Sequence, residues 1–160
     1  MARQLRDRLK FDLARNREEL IEVVGPIEDL SYAPAAGMKD YRAQLVEIGA
    51  MEAETIAFLS TGQVPAWEDL DARVTGATTG ELLESLAGLR AELFALIDGI
   101  GDDDLGEAVP VPADWASFVG DTTLEREELF RWLARHEYYH LGQIIAYRWI
   151  QGFNPYKRPA

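Results

Sequence analysis

The chain has 160 residues, 48% hydrophobic and 28% charged, the balance of a soluble globular protein with enough length for one full core. Its 28 acidic residues outnumber 16 basic ones, for a net charge of -12, which argues against a nucleic-acid partner, because phosphates are neutralised by Lys and Arg. It contains no cysteine, which excludes disulfides, a cysteine nucleophile and thiolate ligands; any metal is held by nitrogen and oxygen, and any thiol arrives on a small molecule.

No apolar run approaches the roughly 18 residues of a membrane span, so no membrane partner is expected. The opening stretch MARQLRDRLKFDLARNREEL is charged throughout and lacks the apolar centre of a signal peptide. Its arginines alone would suit an organelle transit peptide, but Asp7, Asp12, Glu18 and Glu19 do not. The expected location is the cytoplasm.

Apolar periodicity predicts four long helices. The first runs from about Gln4 to Val24, with Leu5, Leu9, Leu13, Leu20 and Val24 on one face, and stops at Gly25-Pro26. A loop broken by Pro34 and Gly37 follows. The second runs from about Lys39 to Leu59; Tyr41, Leu45, Ile48 and Leu59 make its core stripe, with Glu47, Glu52 and Glu54 on or beside it. Residues 60–78 read as loop, with Trp67 docked on the bundle. The third helix runs from about Thr79 to Ile97, capped by Thr79, with Leu82, Leu86, Leu89, Leu93 and Leu96 inward.

Residues 98–123 read as the longest irregular stretch. Asp102-Asp103-Asp104 lacks the spacing of a calcium loop and reads as a solvated turn. Val109-Pro-Val-Pro suits a short extended piece. Trp115 and Phe118 have two readings, a roof over a site or a cover for the end of the bundle. The fourth helix runs from about Leu124 to Gln151, with Thr122 or Thr123 as its cap and Gly152 beyond its end. The fold class is therefore all-α, a four-helix bundle with a long loop between helices 3 and 4, in a single domain over residues 1–160. No internal repeat or low-complexity segment interrupts it.

The fourth helix carries the chain's two histidines, His136 and His140. Positions i and i+4 lie one above the other on a helix, so the two imidazoles can grip one ion. Leu129, Leu133, Ile144 and Tyr147 share their stripe, which turns both rings inward. The bland alternative is two hydrogen-bonded core histidines. His136-Glu137-x-x-His140 also satisfies the zinc-protease expression, in which the glutamate is a general base. But Leu141 to Ala160 contains no Asp, Glu, His or Cys, so a third ligand has to come from upstream. Glu137 is rotated about 100° from His136 and reads as a flanking or surface residue.

The stretch HEYYHLGQIIAYRWIQGFNP, with His136, His140, Gly142, Gln143, Ile144, Arg148 and Gly152, resembles the last helix of the DinB/YfiT-like family of metalloenzymes. Length and helix order match along essentially the whole chain. The resemblance implies a four-helix bundle with a divalent metal, usually on three histidines, the first of them in helix 2. This chain has no histidine there. In the family that histidine is typically followed five residues later by an acid, and Glu47-Ile48-Gly49-Ala50-Met51-Glu52 fits the frame with Glu47 in the histidine's place.

The expected metal ligands are then Glu47, His136 and His140, a two-histidine, one-carboxylate set with open positions. The alternative for Glu47 is a solvated glutamate, and Glu52 is the reserve ligand. Gln143 and Arg148 are the candidate cofactor- or substrate-binding residues. Gln143 has the alternative of an exposed helix residue, and Arg148 that of a helix-end cap. No catalytic residue is assigned. A carboxylate hardens the site and moves the choice of divalent ion from zinc toward nickel, iron or manganese. Three protein ligands leave room for a Lewis acid that activates water or a thiol. The resemblance implies a small-molecule substrate, with a low-molecular-weight thiol as cosubstrate of an S-transferase or isomerase, or a hydrolase. A non-catalytic metal-binding stress protein and a metal-free helical scaffold are the other two possibilities. It also implies a homodimer. The family name refers to DNA damage, but the charge argues against DNA contact.

Overall fold

The computed structural model describes residues 4–156, apart from the side chain of Phe118. Four long helices form the bundle: α1 (Leu5–Val24), α2 (Tyr41–Thr61), α4 (Thr79–Asp98) and α7 (Arg126–Ile150). Three short helices, α3 (Trp67–Asp71), α5 (Asp102–Leu105) and α6 (Ala113–Val119), lie in the connections. Two three-residue strands, β1 (Ala108–Pro110) and β2 (Thr123–Glu125), pair antiparallel with Val109 opposite Leu124. The principal long-helix contacts join α1 to α7, α7 to α2, α2 to α4 and α4 back to α1. One apolar cluster fills the centre, with Leu13, Leu20, Leu45, Leu82, Leu93, Phe130 and Leu141 essentially sealed from solvent.

The helix ends follow from their local chemistry. Asp40 caps α2 by accepting from the Ala43 amide at 2.7 Å, and Gly62 closes it at φ 72°, a left-handed conformation that glycine adopts without a Cβ penalty. Thr78 and Glu81 form a capping box on α4. Thr79, the expected cap, instead spends its hydroxyl on the buried carbonyl of Ile27. Gly49 lets α2 and α4 close up: a Cβ there would meet Val74 and come within 2.6 Å of Leu86 Cδ2.

The connections are more ordered than their polar composition implies. Residues 60–78 contain α3, which buries Leu70. Asp102 opens α5 rather than lying in a solvated turn, and its carboxylate accepts from the Leu5 and Arg6 amides at 3.2 and 3.4 Å. It thereby satisfies two unpaired amides at the start of α1, which Gln4 does not cap. The stretch 98–123 thus holds two helical segments and β1.

The fourth long helix starts at Arg126, later than the pattern predicts, because 123–125 pairs with 108–110. Neither Thr122 nor Thr123 caps it. The Arg126 amide goes to the Glu107 carbonyl at 2.9 Å, while Thr122 supplies its carbonyl to the Val111 amide at 3.0 Å. Among the described residues, no helix is long and apolar enough to cross a membrane.

Candidate metal centre

At mid-bundle each long helix contributes one charged side chain to a buried ring. Arg17 of α1 donates from Nε to Glu137 Oε1 at 2.6 Å and from Nη2 to Glu52 Oε2 at 2.9 Å. Arg90 of α4 donates from Nε to Glu52 Oε1 at 2.6 Å and from Nη2 to Glu137 Oε2 at 2.5 Å. The remaining guanidinium nitrogens reach the carbonyls of Leu86 and Leu13. All four side chains are buried, and each oxygen of both carboxylates is taken by an arginine.

The ring corrects one expectation and answers another. Glu137 is a core residue at 2% exposure, not a surface one. Saturated by two arginines, it is not free to serve as the general base of a zinc protease. Glu52, the reserve ligand, is committed in the same way. The ring also holds the registers of α2 and α7, and the candidate ligands sit beside it: Glu47 five residues before Glu52, His136 next to Glu137.

Glu47, His136 and His140 converge from α2 and α7, each offering one donor atom within 4.8 Å of the others. His140 Nε2 lies 3.2 Å from His136 Nε2 and 3.6 Å from Glu47 Oε2. Two imidazole nitrogens on one tetrahedral ion at about 2.05 Å stand roughly 3.3 Å apart, so the spacing suits a shared ion. The donor set, two neutral nitrogens and a carboxylate, also fits a divalent transition ion.

His140 is buried, and its Nδ1 faces Gln44 Oε1 at 3.4 Å. An amide oxygen only accepts, so the proton belongs on Nδ1 and the Nε2 lone pair points at the site. Burial and the neighbouring His136 push the His140 pKa down to about 4, and burial lowers that of His136 as well, against the pull of Glu47. Both rings are therefore neutral at pH 7, the state a metal requires. Lys39 pairs with Glu47 and is the competing cation at this oxygen.

Beside the histidines opens a cavity of about 450 Å³, within the range of small-ligand sites. His136 and Glu47 form part of its wall, and Met51, Glu54 and Thr55 continue it along the same face of α2. Trp67, Trp115 and Trp132 line it from three different elements, α3, α6 and α7. Trp67 thus docks as a cavity wall while staying 42% exposed. Trp115 resolves to the roof reading: its Nε1 donates to Glu54 Oε1 at 3.1 Å and its ring packs on Phe58, 5.1 Å between centroids. The side chain of Phe118, paired with it as a roof residue, lies outside the described part of the structure.

Gln143 is half-buried and is not on the cavity wall. Arg148 lies two turns beyond His140 and is not among the cavity's lining residues; its guanidinium stacks 4.4 Å over Phe153, and its buried Nε has no partner among the described residues. The structure thus brings Glu47, His136 and His140 together, and neither Gln143 nor Arg148 is among the described lining residues of the cavity.

Gln44, Trp132 and the ring were not foreseen. The signal for the α2 residues was present, because Gln44, Glu47, Met51 and Glu54 recur at three, four and three residues, one helix face. No curated protein matches the chain. The family model described as DinB superfamily matches residues 12–144, which takes in all of α2 and α4 and most of α1 and α7. By that match and by its helical architecture, the chain belongs to the DinB superfamily.

Proposed function

We propose that the protein is a divalent-metal-dependent enzyme acting on a small molecule, with the ion held by Glu47, His136 and His140. The observation that supports this most directly is the convergence of two neutral imidazoles, edge to face, with a carboxylate beside them, where Glu47 and His136 line a cavity. A purely structural metal site closes all four positions with protein atoms, whereas three ligands, two of them on a cavity wall, leave a position for a reactant. The ion, when bound, would supply Lewis-acid activation of water or of a thiol.

The chain's own residues hold and orient the rest. Gln44 keeps the His140 ring in the tautomer with Nε2 free, and the Arg17–Glu52–Arg90–Glu137 ring holds α2 and α7 in register. Indoles shield the cavity from water, and Glu54 stands ready at its wall. S-transfer from a low-molecular-weight thiol, or hydrolysis, is the reaction class we favour. Zinc, nickel, iron or manganese is the ion. A cytoplasmic homodimer is the working form, and protection under stress is the physiological setting.

Metal analysis by mass spectrometry, on untagged protein never exposed to chelator, is the direct test. Close to one transition ion per chain is expected. His140→Ala should lose it, and Glu47→Ala should weaken binding about 10-fold or more. Wild-type protein that takes up no metal on titration would refute the proposal, as would unchanged metal content in both variants.

A further inference from the structure

The cavity wall has a one-signed charge. Glu47, Glu54 and Asp114 belong to it, and no lysine or arginine is among its described lining residues. Lys39 pairs with Glu47 at the metal-centre end, but an anionic group entering beside Glu54 and Asp114 would meet carboxylates with no cation among the lining residues. The apolar part includes the indoles of Trp67, Trp115 and Trp132, the ring type with the strongest attraction for a cation over its face.

Glu54 is the centre of this arrangement. The residue is 6% exposed, and one oxygen is fixed by the Trp115 indole N–H. Its Oε2 makes no hydrogen bond with a described residue and is not sealed in the core. Burial pushes this carboxyl above the ordinary range, against the lowering effect of the indole hydrogen bond, as expected of an acid that lacks a counter-ion. By contrast, Glu52, two residues away, has two arginines. Glu54 thus carries the cost of burial without a cationic partner among the described residues, and a ligand cation would remove that cost.

We propose that this cavity seats the positively charged head of a small organic ammonium compound, against Glu54 Oε2 and among the three indoles. Glu54 lies seven residues from Glu47 on one face of α2, about 10 Å along the helix axis. The ligand is then an amine or quaternary ammonium whose reacting group sits about two turns from its charged head, at the metal centre. As a statement of substrate class it rests on the function proposed above. The seat itself uses none of the three metal ligands.

The test compares choline with 3,3-dimethylbutan-1-ol, which has the same shape with carbon in place of the quaternary nitrogen. A quaternary nitrogen has no lone pair, so it does not ligate the ion. Binding is read by calorimetry and by tryptophan fluorescence, on metal-loaded and on chelator-treated protein. Choline should bind at least tenfold more tightly than the alcohol in both forms. Glu54→Gln, which keeps the acceptor for Trp115, should abolish that preference and leave the alcohol unaffected.

Equal binding of the two probes, binding of neither, or a preference unchanged in Glu54→Gln would overturn the proposal. If Glu54→Gln does not fold, the comparison on the wild type decides alone. Choline selectivity in a protein that takes up no metal would refute the metal-dependent function and leave the ammonium seat standing. Metal binding without selectivity would do the reverse.

Discussion

Gln44 shows how one buried side chain can be tuned for a neighbour at its own expense. It is sealed from solvent, its Oε1 faces His140, and its Nε2 has no partner among the described residues. An orphaned buried amide donor costs on the order of 1–3 kcal/mol. Such a cost is understandable where the oxygen on the other side of the group sets the tautomer of a ligand. Gln44→Leu should therefore separate two quantities that usually fall together. Metal affinity should drop roughly 10- to 100-fold, because the imidazole loses its orienting acceptor. Stability of the metal-free protein should hold or rise, because the unsatisfied amide is gone. Titration against a metal buffer and urea unfolding of the chelated protein give the two numbers. A parallel loss of both would make Gln44 a packing residue only.

At the scale of the elements, the ring of Arg17, Glu52, Arg90 and Glu137 is the main device for fixing which helix faces which. Two of its bonds join neighbouring helices and two cross the bundle, so all four registers are tied at one level. Desolvating four charges is expensive, and their mutual attraction only roughly offsets it. Removing a single member leaves an uncompensated buried charge. Glu137→Gln or Arg90→Met should each cost about 3–5 kcal/mol in denaturant unfolding. Replacing all four with Met and Leu should cost far less than the sum of the single losses, since no charge is stranded. Additive losses would mean that the ring contributes net stability and not mainly helix register.

These four positions also explain why the ring escaped the periodicity. Arg17, Glu52, Arg90 and Glu137 each stand four residues after a buried aliphatic: Leu13, Ile48, Leu86 and Leu133. They occupy the core stripe but, read as charges, they look like interruptions or surface. The gap from Leu13 to Leu20 in α1 is filled by an arginine whose counter-ions lie 35 and 120 residues away in sequence. No local rule pairs them.

For the whole molecule, the two histidines link stability to pH. His140 has a folded pKa of about 4 against an ordinary 6.5, and His136 is shifted in the same direction. In the metal-free protein, the unfolded chain takes up these protons first as pH falls. Stability is therefore whole above about pH 7 and declines through the window from 6.5 to 4. For His140, at about 1.4 kcal/mol per unit, the loss reaches at most roughly 3 kcal/mol. Glu54, with its raised pKa, works in the opposite sense lower in the range, since the folded state favours its protonated form. Urea midpoints of chelated protein at pH 7.5, 6 and 5 should fall steadily. A variant with both histidines replaced by glutamine should give a flatter profile. Identical slopes would show that other groups control the acid limb.

Much of this protein was legible in one dimension. The four long helices follow from a 3.6-residue apolar period, because a stripe of leucines can be buried only on a helix face. The i, i+4 histidines declared the centre, because that spacing stacks two rings whatever the tertiary fold does. Glu47 was placed by a family frame rather than by physics, and the structure brings it to the histidines. Chain-order patterns are blind to long-range partners, and what depended on such partners was decided only by tertiary structure. Asp102 became the cap of α1, and 123–125 became a strand instead of the start of α7, because a distant backbone offered hydrogen bonds. Glu137 became a core residue because two arginines from other helices neutralise it. Arg148 stacks on Phe153 because the chain beyond the helix end folds back to it, a contact that no helical period announces.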